Sequence, residues 1–188
     1  TVTPLERNRV SLRFDIEEGE ITRIADINII GAKDFTERQI LREMQLTTPG
    51  WLTWITKNDQ YSKQKLTADL ESLRSFYLNR GYLEFNIDSA QVTISPDKQD
   101  IAINITVTEG QAYTVTAVKL QGEFLGKDEE FRELVRVRPG QPYRADAVAD
   151  TTRLFADRFG IYGYAFARID AVPEVDRASN RVASVLRA

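Results

Sequence analysis

Between Ile21 and Ile30 the chain alternates, with Ala25, Ile27 and Ile29 on one parity and Asp26, Asn28 and Ile30 on the other. A period of two marks a β-strand with one face buried, and Gly31 ends it. The next stretch, Phe35-Thr36-Glu37-Arg38-Gln39-Ile40, carries a capping box, Thr36 followed three residues later by Gln39. Phe35 and Ile40 stand where a hydrophobic staple would join. These signals predict a short helix from about Glu37 to Gln45 that buries Ile40, Leu41 and Met44, stopped by Pro49-Gly50. Leu66, Leu70, Leu73 and Tyr77 then recur at helical spacing as one apolar stripe. Gly81, after Asn79-Arg80, fits a left-handed cap at that second helix's end.

A long strand is predicted over 82–95. Leu83, Phe85 and Ile87 share one parity, whereas Ala90, Val92 and Ile94 share the other. A strict period of two cannot turn both sets inward, so one extra residue, a β-bulge, is expected near Asp88-Ser89. Pro96-Asp97-Lys98 turns the chain, and Ile101, Ile103, Ile105 and Val107 form the last strand. The order is β-α-α-β-β. A helix pair returns the chain to its start, so the third strand runs parallel to the first and takes the centre, with the second paired to it as a hairpin. The fold class is α+β: each repeat a three-stranded mixed sheet with two antiparallel helices on one face and both outer strands as edges.

This unit recurs. Residues 8–31 align without a gap on 99–122, bringing Glu18-Gly19 onto Glu109-Gly110 and Gly31 onto Gly122. Residues 61–88 align on 143–170, bringing Tyr61, Gly81, Tyr82 and Asp88 onto Tyr143, Gly163, Tyr164 and Asp170. Self-similarity at such a period marks tandem repeats. Residues 1–20 are expected to be the terminal strand or strands of a preceding, truncated repeat, 21–110 a complete repeat, and 111–188 a repeat truncated near its end. Both ends then look like cuts inside a longer array. Val10, Leu12, Phe14 and Ile16 alternate as a strand whose own domain is missing. Residues 1–17 are therefore expected to be disordered or to borrow a neighbour's sheet edge. The link at Gln111 is short enough to limit the hinge angle between repeats without setting it.

Composition narrows the chemistry. The chain has no Cys and no His. That removes thiol nucleophiles, His bases and nearly all transition-metal sites, so no catalytic residue, metal or cofactor is assigned. A carboxylate-pair enzyme is not formally excluded, since glycosidases need neither residue. No motif for one is present, and domains this small leave little room for a deep cleft. The net charge of −3, with both signs interspersed, gives no footprint for nucleic acid. No apolar run reaches the roughly 18–20 residues of a membrane helix.

The segments VTPLERNRV (2–10), INIIG (27–31), KQKLTADLESLRSFYLNRGYLEFNIDSAQVTISPDK (63–98), TEG (108–110) and YGYAFARI (162–169) resemble POTRA domains of the Omp85 family. They are most similar to the end of a second repeat, a third, and most of a fourth. The resemblance implies a periplasmic arm on an outer-membrane β-barrel. Such an arm receives unfolded outer-membrane protein precursors and docks accessory lipoproteins of the assembly complex. Partner binding by strand addition at the second strand of the third repeat, chiefly to an accessory propeller lipoprotein, is implied for residues 88–94. Two-partner secretion transporters and the Tam assembly factor share the fold, and a passive spacer is a further reading.

An open sheet edge binds peptides because its unpaired N–H and C=O groups complete a ladder with many sequences. Residues 82–95 contain no Pro, whereas Pro173 interrupts 165–175 and blunts that edge. The expected docking strand is therefore Asp88, Ser89, Ala90, Gln91, Val92, Thr93 and Ile94, with Val92 and Ile94 supplying apolar contact. Trp51 and Trp54, in an insertion after Pro49-Gly50, could anchor a partner or simply pin their own loop. The run Glu17-Glu18-Gly19-Glu20 reads as a solvated turn and Lys63-Gln64-Lys65 as a helix's wet face.

Overall fold

The computed structural model describes residues 2–5, 9–12, 22–49 and 59–188. In chain order these form β1 Val2–Leu5, β2 Arg9–Leu12, β3 Arg23–Ile30, α1 Glu37–Leu41, α2 Lys63–Leu78, β4 Asn86–Ile94 and β5 Asp100–Thr108. The second repeat follows with β6 Thr114–Gln121, α3 Asp128–Leu134, α4 Ala145–Ile161, β7 Asp170–Asp176 and β8 Arg181–Arg187. Two three-stranded sheets result, ordered β3-β5-β4 and β6-β8-β7. In each, the first and last strands run parallel and the second is antiparallel to the last. The α+β architecture with a central third strand is the one the hydrophobic pattern predicts.

The central strand carries the core. Ile101, Ile103, Ile105 and Val107 are all buried, at alternate positions of β5. They pack with Ile24 and Ile27 of β3, Ile40 of α1, and Leu66, Leu73, Phe76 and Tyr77 of α2. Each such side chain contributes about 1.5–3 kcal/mol on burial. Leu186 of β8 packs against Phe124, Phe131, Phe155 and Phe159 in the second repeat.

Several boundaries differ from the sequence reading. Helix α1 stops at Leu41 rather than Gln45, although Ile40 and Met44 are buried as expected and Leu41 half so. The cause is Asp69 of α2, fully buried, whose carboxylate accepts the N–H groups of Gln45 (2.7 Å) and Leu46 (2.9 Å) and draws that backbone out of the helix. Thr151 of α4 does the same with one bond, from Arg136 N–H at 2.9 Å. The long strand begins at Asn86, not Tyr82. Residues 82–85 form a turn in which Tyr82 N–H reaches Tyr77 C=O and Phe85 N–H reaches Tyr82 C=O. Leu83 therefore does not share a face with Phe85 and Ile87. Phe85 stacks on Tyr77 at 4.0 Å, and Leu83 packs into the second repeat's core. The expected bulge is present, as the β4–β5 register shifts between Ile87 and Ser89. At the start of the chain β1 pairs antiparallel with β2. This departs from the expected disorder or borrowed edge, because two stretches close in sequence complete a local ladder with each other. Phe14, Ile16 and the run 17–20 lie outside the described residues.

A buried carboxylate also closes the first repeat. Glu109 accepts the N–H groups of Lys33 (2.8 Å) and Asp34 (3.2 Å) and the Tyr77 hydroxyl (2.8 Å). Burial first, and the bond to Glu109 second, hold the Tyr77 phenol well above its usual range. Burial and the Asp34 carboxylate push Tyr82 up to about 12.

The repeats touch directly. Tyr113 donates its N–H to Gly81 C=O (2.9 Å) and its hydroxyl to Glu84 (2.9 Å), while Arg177 reaches the other Glu84 oxygen at 2.6 Å. Asn79 Oδ1 accepts the Asp146 N–H at the start of α4 (2.9 Å), one of the donors a helix N-terminus leaves unpaired. Gly81 has φ +100°, and a Cβ there would lie 2.9 Å from Tyr113 C=O. Only glycine suits both that backbone conformation and that close approach.

Two outcomes are expected. Asp69→Ala leaves two amides of the 45–46 turn without their acceptor, and urea unfolding should show a loss of about 2–4 kcal/mol. Arg177 first and Tyr113 second hold the Glu84 carboxyl below its ordinary range. Its contribution to the inter-repeat contact is therefore present above the unfolded value and lost as pH falls through the folded one. Spin labels at the exposed helix positions Glu71 and Asp157 should show the inter-repeat distance distribution broadening on the acid side, with Glu84→Gln broad already at neutral pH.

Candidate peptide-docking edge

Among the described residues, strand β4 is an edge along its whole length. The bond from Ser95 N–H to Asp100 C=O (2.9 Å) fixes which of its amides face inward. Ser95 and Asp100 continue the β4–β5 register in which Thr93 opposes Ala102 and Gln91 opposes Asn104. Antiparallel pairs alternate between hydrogen-bonded and non-hydrogen-bonded. Thr93, Gln91 and Ser89 thus spend their backbone groups on β5, and Ala90, Val92 and Ile94 turn theirs outward.

The same three residues oppose Ile105, Ile103 and Ile101, so their side chains stand on the helix-covered face. Val92 is half-buried against the core, Ala90 is exposed and Ile94 is 55% exposed. An added strand would meet outward backbone groups and an apolar side-chain row at the same positions. Asp88 sits in the bulge, where its carboxylate accepts from the Thr108 hydroxyl (2.7 Å) and the Asn86 side-chain amide (2.7 Å). Those bonds fix the irregularity at the end of the open stretch. Ser95, by contrast, belongs to the turn, its hydroxyl bonded to Asp97 and to the Asp100 N–H. The hydroxyl first, and the Gln99 amide second, lower the Asp97 carboxyl.

The structure thus brings Asp88, Ser89, Ala90, Gln91, Val92, Thr93 and Ile94 together on one edge and divides them into inward and outward sets, which parity alone did not assign. Trp51 and Trp54 lie outside the described residues. In the second repeat β7 has no bulge, and Pro173 opposes Ser184 while the ladder continues on either side. Ser184 occupies the place of Ile103 in the central strand, so Pro173 occupies the place of Val92. A proline there costs β7 no ladder bond, because the missing donor faced outward.

Among the described residues, the carboxyls displaced from their ordinary range, Glu84, Asp97, Asp146 and Asp176, are all lowered. A general acid needs the opposite shift. No group of His, Cys, Asp or Glu among those residues could hold a metal ion, and no helix there is long and apolar enough to cross a membrane.

The POTRA family, described as a surface antigen variable number repeat, matches residues 22–110 and 113–186. The chain is 32% identical over 98% of its length to the outer membrane protein assembly factor BamA of Neisseria meningitidis, of which it spans 23%. It is 28% identical over 95% of its length to BamA of Buchnera aphidicola, spanning 29% of that protein. Its fold is similar to a crystal structure of Haemophilus influenzae BamA POTRA3-5, with a TM-score of 0.79, 22% identity and coverage of 89% of this chain and 66% of the other. A BamA structure from Haemophilus ducreyi lacking POTRA domains 1-3 matches at a TM-score of 0.66, 17% identity, covering 88% of this chain and 29% of that one. The chain therefore spans about a quarter of the curated relatives it matches.

The division of β4 amides is directly measurable. Amide hydrogen exchange should alternate, fast at Ala90, Val92 and Ile94 and slow at Gln91 and Thr93, because only the second set is bonded to β5. Uniform protection along 89–94 would show the outward amides already paired.

Proposed function

The chain belongs to the POTRA family, and on that premise we propose that it is a non-catalytic periplasmic scaffold of the outer-membrane β-barrel assembly machinery. In this reading residues 22–110 and 113–186 are the third and fourth repeats of a BamA-type assembly factor. They bind unfolded outer-membrane protein precursors and accessory lipoproteins by strand addition, the lipoprotein being BamB-like at residues 88–94. The family match and the relatives named as assembly factors support the setting. One structural observation carries the mechanism: β4 presents the backbone groups of Ala90, Val92 and Ile94 outward beside an exposed Ile94 side chain.

The chemistry suits a varied clientele. Backbone pairing supplies most of the hydrogen bonds whatever the sequence of the incoming strand. Apolar residues at alternate positions of that strand would lie over Val92 and Ile94, and precursors of β-barrels alternate in this way.

Val92→Pro is the informative variant, because Pro173 shows that this place in the fold accepts proline within an intact ladder. It removes one outward donor and crowds the incoming strand without touching β5. Pull-down of the accessory lipoproteins and of unfolded barrel peptides should fall about tenfold or more, a loss of at least 1.4 kcal/mol, with the thermal transition nearly unchanged. Undiminished binding by a folded Val92→Pro would overturn strand addition here and leave the repeats as a spacer.

A further inference from the structure

The two repeats dispose of their first-strand edges alike, up to a point. In the first, Ile24 N–H bonds to Asp59 C=O and Arg23 bridges Gln60. In the second, Val115 N–H bonds to Gln141 C=O, Gly140 N–H bonds to Val115 C=O, and Thr114 bridges Pro142 in antiparallel sense. The chain's own segment thus begins a fourth strand beside the first strand of each sheet. In β6 it leaves at a register shift between Val115 and Ala117. Beyond that shift no described residue pairs with the outer edge of β6. Gln121 C=O faces β8, where it accepts Ala188 N–H. Alternation along the strand then turns the backbone groups of Leu120 and Val118 outward.

What lies beside this open edge differs between the repeats. Ile27, Met44 and Leu46 fill the space in the first repeat and are buried, at 3%, 7% and 0% exposure. The Gly31–Gly122 match, and the anchoring of Gln45 N–H by Asp69 and of Arg136 N–H by Thr151, place Val118, Val135 and Val137 at the same three positions. All three are shorter. Val118 and Val135 are only half-buried, and a groove of about 250 Å³ opens, lined by Val118, Leu120, Arg132, Val135, Val137 and Pro139. Arg136 and Arg138 stand exposed on the segment that forms its wall.

We propose that the β6 edge from Ala117 to Gln121 and this groove form a second strand-addition site, whose occupant is an extended peptide alternating apolar and acidic residues. The peptide continues the antiparallel strand that residues 140–142 begin. Its backbone bonds to the outward groups of Val118 and Leu120, its apolar side chains fill the volume that Ile27, Met44 and Leu46 occupy in the first repeat, and its carboxylates meet the arginine rim. Charge complementarity selects an acidic over a basic strand. The site is on the opposite edge of the other repeat and does not depend on β4.

The test is titration of the isotopically labelled chain with a short capped peptide alternating valine and aspartate, read by amide shifts. Shifts are expected at residues 117–121 and across the groove, persisting in Val92→Pro. The variant Val118→Ile/Val135→Met/Val137→Leu rebuilds the first repeat's packing in the second. It should weaken binding about tenfold, which is 1.4 kcal/mol. Arg136→Glu/Arg138→Glu, which alters only exposed side chains, should weaken it similarly, and more at low salt. Should the filled variant lose its thermal transition, the arginine variant alone decides. Shifts absent, shifts confined to 88–94, or affinity at 117–121 unchanged in a folded variant would each overturn the proposal. Retained shifts at 88–94 with none at 117–121 would leave the β4 reading standing while removing this one.

Discussion

The last strand of each repeat enters the middle of its sheet, where both sides of its backbone are satisfied, β5 by β3 and β4 and β8 by β6 and β7. That is where the buried isoleucines and valines concentrate. A three-stranded sheet built this way cannot satisfy its outer strands, and an unpaired strand edge is a template for any other strand. The remaining features decide how much of each edge is left open. Residues 59–60 and 140–142 cover the starts of β3 and β6. Pro173 blunts β7, and no described residue covers β4, whose outward groups are intact.

Holding such thin sheets under their helices falls to a few buried acceptors as much as to apolar area. Asp69 and Glu109 are buried carboxylates, and each is matched to backbone N–H groups of a turn that would otherwise lack partners. Among the described residues no buried side-chain polar atom lacks a hydrogen-bond partner. Charge-assisted bonds of this kind are strong and directional, so they fix where α1 ends and where β3 leaves the sheet, which apolar packing does not. At the repeat junction, Asn79 pairs an N-terminal amide of α4, and Tyr113 and Arg177 converge on Glu84. The orientation of one repeat on the next is thus specified by side chains and not only by a short link.

Much of this was legible in the sequence because it follows from periodicity. The alternation of Ile101 to Val107 fixes the central strand. The clash of parity between Leu83–Ile87 and Ala90–Ile94 points to the bulge that the register shows at Asp88. The internal match gives two repeats. What escaped depends on contacts between residues distant in sequence. Nothing near Gln45 announces that Asp69 will end α1. Leu83 has the parity of its neighbours but is taken by another domain's core. The edge position of residues 88–94 could be read from the strand order, but which of its amides face outward needed the bond between Ser95 and Asp100. The groove beside β6 was readable in principle, since the gapless alignment sets Ile27 against Val118, yet its meaning depends on knowing that Ile27 is buried.

An open sheet edge invites pairing with any other strand, folded or not. The geometry limits the hazard by keeping the open stretches short and irregular. The bulge at Asp88 bounds the free part of β4, and the register shift after Val115 falls where the self-paired segment of the second repeat stops. Bulges bend a strand and raise its twist, so a second folded sheet, rigid and twisted in its own way, cannot register against more than a few residues. A flexible extended chain can follow the bend and pair throughout. Short bulged edges therefore discriminate by the partner's flexibility before its sequence, favouring strands not yet folded over those that are.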